Sequence, residues 1–180
     1  ALKSSVLYAD GGWQALVNEL RANAELSGVK MVAESRVVKI QRHAGRATGV
    51  TLADGSEQPA DAIIIAASPA EAAELVDSQT LGEIAASAIP VKAACLDIAL
   101  ERLPKPETTF ALGIDRPLYL SVHSAAARLA PEGNAVIHLL KYLGAKPPDD
   151  PKAVEHELEE LLDLAQPGWQ PLLIERRFMP

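Results

Sequence analysis

The stretch from residue 29 to residue 69 constrains the fold more than any other part of the chain. It consists of short strand-like segments separated by turns, at 43–46 and at Asp54-Gly55, and it ends in the apolar run 62–67. Strands with one solvated face alternate polar and apolar residues, whereas a strand buried on both faces does not. The pattern therefore predicts a small antiparallel meander that leads into a buried strand of the kind found in parallel sheets.

The rest of the chain offers no second strand of this buried kind. A parallel sheet buries its strands between neighbours on both sides, so the predicted strand lacks partners within the chain. The sequence also begins without methionine and ends at ERRFMP, directly after a strand-like segment. We therefore expect the chain to be the middle region of a longer protein.

An amphipathic helix is predicted near the start of the chain. Apolar residues recur at intervals of three and four from Trp13 to Ala24, which predicts a helix with one buried face. Gly28 is expected to end this helix, because glycine tolerates the left-handed conformation that often follows a helix. Short strands are then predicted at 29–33 and at 35–41.

A second helix start follows the apolar run. Ser68 stands at the N-cap position, Pro69 at the first helical position and Glu71 at the third, which is the signature of a capping box. A short helix is predicted to run from here to Val76, and another from about residue 80 to residue 88.

The chain from residue 90 onward is predicted to form an antiparallel sheet with a helix packed on one face. Alternating apolar residues mark a long strand at 91–100, and a helix that begins near residue 151 carries an apolar stripe. The predicted fold class is therefore α+β, with a β-meander and a buried strand followed by an antiparallel sheet with packed helices. Shorter strands are predicted at 108–114, 118–124, 135–143 and 172–178.

Composition and charge exclude several classes of partner. The 180 residues carry a formal charge of −7 and contain no basic run, which argues against nucleic-acid binding. Cys95 is the only cysteine and lies in an apolar run, so we expect a buried, reduced thiol in a cytoplasmic protein. No apolar run reaches the ~18–20 residues that a membrane-spanning helix needs.

The sequence shows no recognisable catalytic constellation or metal site, so the catalytic residues are unknown at this point. The phosphate-binding motifs GxGxxG and GxxxxGK[ST] are missing, as are HExxH and GxSxG. His43 is expected in a hairpin loop and His156 on an exposed helix face. His123 and His138 lie on predicted strands, where each either faces a cavity or serves as a structural histidine.

The predicted junction between strand and helix has a physical argument for ligand binding. A buried parallel strand followed by a capped helix places backbone amides and the positive end of the helix dipole at the carboxyl edge of the sheet. Ala66, Ala67 and Ser68 are small, so a ligand could approach the backbone there. The alternative is a tight turn between strand and helix with no ligand.

The order of these features resembles the FAD-dependent amine oxidase superfamily, in particular phytoene desaturases and related carotenoid oxidoreductases. The middle region of that family has a Gly-Gly before a helix, a V-x-x-I strand, a G-V-x-L-x-D-G hairpin and an A-D-x-V-I-x-A-x-P segment. The corresponding residues here are 11–12, 37–40, 49–55 and 60–69. The similarity covers about residues 8–76.

The resemblance implies an FAD-binding domain built from separate chain segments, with a substrate domain between them. It assigns 1–77 to a partial FAD-binding segment and 78–180 to the substrate-binding domain. The remaining N- and C-terminal FAD-binding segments of the intact chain would be the partners of this segment, which is not expected to retain FAD or to be active alone. The resemblance places the cofactor beside Val37, Val38, Ala66, Ala67 and Ser68.

The implied activity is hydride transfer from an apolar substrate to FAD. The aliphatic composition after residue 90, with few aromatic residues, favours a carotenoid-like substrate over one held in an aromatic cage. Such a substrate is compatible with peripheral membrane contact, although no basic amphipathic helix indicates it. The competing interpretation is a non-catalytic α+β domain that binds a lipid or a partner protein.

Overall fold

The computed structural model describes residues 7–144 and 150–180. The chain forms two compact units, one from Ala1–Ser27 with Pro90–Pro180 and the other from Gly28–Ile89. Each unit contains its own antiparallel sheet, so the predicted α+β class is confirmed. The functional division at residue 77 stays a prediction.

The described residues contain four α-helices and eight strands. No helix among them is long and apolar enough to cross a membrane. In chain order the elements are α1 (Gly12–Leu26), β1 (Val37–His43), β2 (Arg46–Leu52), β3 (Glu57–Pro59), α2 (Pro69–Val76), α3 (Gln79–Ser87), β4 (Lys92–Leu100), β5 (Phe110–Leu112), β6 (Leu118–Val122), β7 (Ala135–Leu143), α4 (Pro151–Ala165) and β8 (Leu173–Met179).

The predicted meander is confirmed as a three-stranded antiparallel sheet in the order β1-β2-β3. Its first turn contains Ala44 and Gly45, both with positive φ, as a two-residue hairpin turn requires. The register shifts between Val37 and Lys39, so that Val38 has no partner in β2. This β-bulge bends the strand and re-aims the side chains beside it.

Two predicted strands of the same unit are wrong. The segment 29–33 and the apolar run 62–67 have no strand structure, and the side chain of Ile64 is 95% exposed. A strand forms only when its backbone N–H and C=O groups pair with a neighbour. Neither segment pairs with a strand among the described residues, so the apolar composition alone does not produce the buried strand.

The helices of this unit begin as predicted. The Ser68 hydroxyl accepts a hydrogen bond from the Glu71 amide at 3.3 Å, and the Glu71 carboxylate accepts one from the Ser68 amide at 3.0 Å. These two bonds complete the capping box at the start of α2. Ser78 caps α3 in a similar way, by accepting a hydrogen bond from the Leu81 amide.

The larger unit is built on a five-stranded antiparallel sheet in the order β5-β6-β7-β4-β8. The alternation predicted for the long strand is confirmed, because every second residue of β4 is buried in the core. The predicted stripe of α4 packs against the same face of the sheet, as the alternating apolar pattern requires. The opposite face of the sheet is not covered by α4. The core-facing residues of β4 are Ala94, Leu96, Ile98 and Leu100.

The first helix forms as predicted, but its predicted buried face is wrong. No residue of α1 is buried, and the side chain of Trp13 is 78% exposed. The core of this unit lies on the α4 side of the sheet, and α1 contributes no residue to it. The apolar periodicity of α1 therefore defines a surface of the helix without specifying what covers it.

Gly49 provides a test of the meander. A Cβ at this position would lie 2.6 Å from the Gln58 carbonyl oxygen, so Gly49→Ala forces β2 and β3 apart. We expect it to lower the free energy of unfolding by roughly 1–3 kcal/mol, as overpacking does. Gly82→Ala is the matched control, because a Cβ there meets nothing within 4 Å and alanine favours a helix. Urea unfolding should show opposite signs for the two variants, and equal effects would contradict the close approach.

Candidate functional site

A large cavity opens on the face of the five-stranded sheet that α4 leaves uncovered. Its volume is about 810 Å³. We call it the Trp13 cavity, after the indole that forms its wall together with Leu16 and Leu129. His123 and His138 also line it and give it one polar end. It lies entirely within the larger compact unit.

The strand register places Asp97 and His138 side by side at the polar end of the cavity. Asp97 of β4 pairs directly with His138 of β7, and both side chains point away from the α4 side, where Leu96 and Ile137 are buried. The Nδ1 atom of His138 lies 2.6 Å from the Asp97 carboxylate. A carboxylate can only accept here, so Nδ1 carries the proton and the other ring nitrogen is left for a ligand.

The rings of Tyr8, His123 and His138 lie close together and are tilted against one another. The ring centroids of His123 and His138 are 4.1 Å apart, and those of Tyr8 and His123 are 4.8 Å apart. Burial lowers the pKa of His123 below its ordinary value of 6.5, and the neighbouring His138 lowers it further, while Asp97 opposes the shift. His123 is therefore a neutral imidazole at neutral pH.

The sequence leaves two alternatives for His123 and His138, either a histidine that faces a cavity or a structural histidine. Both descriptions apply to His138. It lines a cavity and has a satisfied hydrogen bond. Asp97 was missed, although a charged residue inside an apolar strand is a signal that could have identified it. The sequence does not predict the roles of Tyr8 and Trp13, because the N-terminal segment joins the unit formed by 90–180 only in three dimensions.

A second, smaller cavity lies in the unit formed by Gly28–Ile89. We call it the Val38 cavity; its volume is about 250 Å³. The bulged residue Val38 lines it, as do Val37 and Ala67, so three of the five residues predicted to bind the cofactor share one cavity. Beta-bulges are common next to active sites, which agrees with a functional role for this segment.

The other two predicted cofactor residues do not line this cavity. Ala66 is exposed, and Ser68 is engaged with Glu71, whose carboxylate accepts hydrogen bonds from both the amide and the hydroxyl of Ser68. These hydrogen bonds lower the pKa of the Glu71 carboxyl, so it is negatively charged at neutral pH. The N-terminus of α2 is therefore already occupied by the Glu71 carboxylate.

Cys95 is less buried than the sequence predicts. It is partly buried, on the same face of β4 as Asp97. Burial raises the pKa of the thiol, and the negative charge of Asp97 raises it further. The thiolate is thus disfavoured at neutral pH, as expected of an unreactive cysteine.

Comparison with known proteins identifies the family. The sequence profile described as flavin containing amine oxidoreductase matches residues 2–91, which is half of the chain. The protein belongs to this family. The amine oxidase resemblance of its motifs is thereby confirmed at the level of the superfamily. No curated protein matches the chain significantly.

Solved structures share the fold of this chain. An oxidoreductase from Methanosarcina mazei superposes with a TM-score of 0.73 at 20% identity, covering 94% of this chain and 42% of that one. The PF1083 protein from Pyrococcus furiosus gives 0.73 at 21% identity, covering 94% and 43%. A reduced UDP-galactopyranose mutase gives 0.67 at 14% identity, covering 88% and 37%. The chain thus spans about two fifths of the length of these structures.

The stability of this family member should depend on pH through His123. The pKa of this group is lower in the folded protein than the 6.5 of an unfolded chain, so its contribution to stability is complete above pH 6.5. It is lost as the pH falls through the lower, folded value. NMR titration of the His123 ring protons, assigned with His123→Asn, should give a midpoint below that of the urea-unfolded chain. A midpoint at or above the unfolded value would contradict the partly buried environment of His123 beside the His138 ring.

Proposed function

We propose that the intact protein is a phytoene desaturase-like, flavin-dependent oxidoreductase. In it, this chain contributes the substrate-binding segment and part of the FAD site. Family membership supports the flavin, and the Trp13 cavity is the observation that supports an apolar substrate. When bound, FAD would supply the acceptor for a hydride from the substrate.

The Val38 cavity fits a part of FAD. Its volume of about 250 Å³ is below the roughly 300–1,000 Å³ of sites that enclose a drug-sized ligand, so it can take only one portion of a dinucleotide. Val37 and Val38 would hold that portion against the bulged strand, and Ala67 would permit close approach. Ser68 would act through its cap on α2, because Glu71 already occupies its polar atoms. Ala66, which lies in the exposed run 62–67, would also contact the cofactor.

The Trp13 cavity supports the apolar substrate. Its volume of about 810 Å³ lies within the usual range for small-molecule sites, and most of its lining is aliphatic or aromatic. Such walls exclude water from a reacting C–H bond and orient an apolar body. The chain's own contribution to the reaction is therefore binding, orientation and exclusion of water.

The partners proposed for this chain follow from the same reasoning. The remaining FAD-binding segments of the intact protein would complete the cofactor site, since the chain spans about two fifths of its structural relatives. An apolar small molecule would be the substrate. A cytoplasmic location with peripheral membrane contact is proposed for an enzyme that collects such a substrate.

The deciding experiment is purification of the protein from its full reading frame, followed by the visible absorption spectrum of oxidised flavin. We expect a yellow protein, and a colourless preparation of the 180-residue segment alone. Val38→Glu should lower the ratio of flavin to protein, whereas Val32→Glu, an exposed valine of the same unit outside the Val38 cavity, should not.

A colourless full-length protein that does not take up added FAD would overturn the proposal. The non-catalytic lipid- or protein-binding interpretation would then be preferred, because it requires only the apolar cavity. Equal flavin content in the two valine variants would instead remove the Val38 cavity from the cofactor site.

A further inference from the structure

We propose that the Trp13 cavity binds an apolar alcohol, whose hydroxyl group donates a hydrogen bond to Nε2 of His138. This inference rests on the proposed function and deepens it by naming the substrate class of the cavity. Three features of the cavity support it: the tautomer of His138, the polar groups of the lining, and the negative charge of Asp97.

His138 offers a ligand a hydrogen-bond acceptor. Its Nδ1 atom lies 2.6 Å from the Asp97 carboxylate, which can only accept, so the ring proton is held on Nδ1. The neutral imidazole then has a lone pair on Nε2, because only one of its two nitrogens carries a proton. No hydrogen bond joins Nε2 to another group among the described residues, and His138 lines the cavity whereas Asp97 does not. A ligand donor in the cavity can therefore satisfy Nε2.

The other polar groups of the lining suit a hydroxyl. Among the described residues that line the cavity, the remaining polar side-chain atoms belong to Tyr8, Trp13 and His123. The indole donates only, while the phenol and the neutral His123 imidazole each have one proton and an acceptor site. A ligand hydroxyl is both a donor and an acceptor, so it can give its proton to His138 and accept a hydrogen bond from one of these groups.

The charge of Asp97 selects against an anion at this place. A carboxylate would meet the lone pair of Nε2 with the negative charge of Asp97 behind it. An ammonium group would lose its water in a cavity whose described lining contains no aspartate or glutamate to pair with it. A neutral donor avoids both costs, and Leu16 and Leu129 provide apolar walls for the body of the ligand.

Trp13 supplies the readout for a test. Its side chain is 78% exposed, so a ligand in the cavity should shift its fluorescence to shorter wavelength. The other tryptophan, Trp169, is buried and donates a hydrogen bond to Asp163, so it provides a constant background. Trp13→Phe should keep an aromatic wall and abolish the shift.

The experiment titrates the full-length protein with decanol and with its isomer methoxynonane, both below their solubility limits. The two probes have the same formula, but only the alcohol has an O–H donor. The titrations are run at about pH 8.5, well above the ordinary pKa of an imidazole. We expect decanol to bind about fivefold more tightly than the ether, which is the worth of one neutral hydrogen bond. Decanoate and decylammonium should both bind more weakly than decanol.

Two variants test the roles of His138 and Asp97. His138→Phe keeps an aromatic ring and removes the acceptor, so the ratio of decanol affinity to ether affinity should fall about fivefold. Asp97→Ala frees the tautomer, and ¹⁵N NMR should show the ring proton of His138 moving from Nδ1 to Nε2, with the same loss of preference. His156→Phe is the matched control, because it changes an exposed histidine of α4 outside the cavity and should leave the ratio unchanged.

Each alternative result would overturn the inference. Equal affinity for decanol and methoxynonane would show a purely apolar cavity, and a preference that survives in His138→Phe would place the hydroxyl elsewhere, with Tyr8 as the next group to test. Tighter binding of decanoate or decylammonium than of decanol would refute a neutral ligand. If His138→Phe does not fold, a ring proton on Nε2 of His138 in the natural protein would by itself remove the proposed acceptor.

The flavin content of the same preparation is read separately from its visible spectrum. A yellow protein that does not distinguish decanol from the ether refutes this inference alone. A colourless protein that prefers decanol through His138 refutes the proposed function alone.

Discussion

Replacing Leu158 by alanine is expected to lower the free energy of unfolding by about 2–5 kcal/mol. Leu158 lies in α4 with a side chain that is 0% exposed, in the cluster that joins this helix to the five-stranded sheet. The substitution removes apolar surface from the core and leaves a cavity that the helix and sheet fill only in part. Urea unfolding followed by far-UV circular dichroism would measure the change.

Leu164→Ala is the matched control for this prediction. Leu164 lies on the same helix, but its side chain is 80% exposed, so the same substitution should change stability by less than about 0.5 kcal/mol. Similar losses for the two variants would mean that helix propensity, rather than core packing, dominates the effect. A loss below about 1 kcal/mol for Leu158→Ala would contradict the described packing of α4.

Gln166→Leu is expected to destabilise the protein by about 3 kcal/mol, because three hydrogen bonds between a fully buried side chain and the backbone would be lost at ~1 kcal/mol or more each. Gln166 follows α4 and is fully buried. Its amide oxygen accepts a hydrogen bond from the Lys105 amide at 2.9 Å. Its amide nitrogen donates to the carbonyl oxygens of Lys105 at 2.9 Å and Thr108 at 2.7 Å. The side chain therefore ties the loop between β4 and β5 to the end of the helix.

The control is Gln170→Leu, in which the same substitution removes an exposed hydrogen bond to Asp163. Water can replace that partner, so we expect a change of less than about 0.5 kcal/mol. Gln166→Glu separates hydrogen bonding from packing. A carboxylate cannot donate to the two carbonyl oxygens, whereas a protonated carboxyl can donate to one of them. Stability of this variant relative to the natural protein should therefore improve as the pH is lowered, and a pH-independent loss would point to packing instead.

Local sequence patterns predicted the secondary structure well where the cause was local. The capping box at Ser68 and Glu71 formed because its hydrogen bonds join residues three positions apart. The alternation in β4 and the stripe of α4 predicted which residues meet in the core, since strand and helix periods fix the directions of side chains.

The candidate sites were predicted less completely, for a different reason. Val37, Val38 and Ala67 came from family motifs, and the structure places them at one cavity without testing their role. The Trp13 cavity depends on residues from distant parts of the chain. His138 and Asp97 are 41 positions apart, and only the register of β4 and β7 places them opposite each other.

The sequence by itself determined the helices, most of the strands, the α+β class and membership of a flavin-containing family. Only the tertiary structure decided what covers each apolar surface. The face of α1 and the run 62–67 are both apolar in sequence, yet neither is buried, because burial requires a partner surface and a strand requires a hydrogen-bonding neighbour. Periodicity specifies which side of an element is apolar, and it carries no information about what will lie against that side.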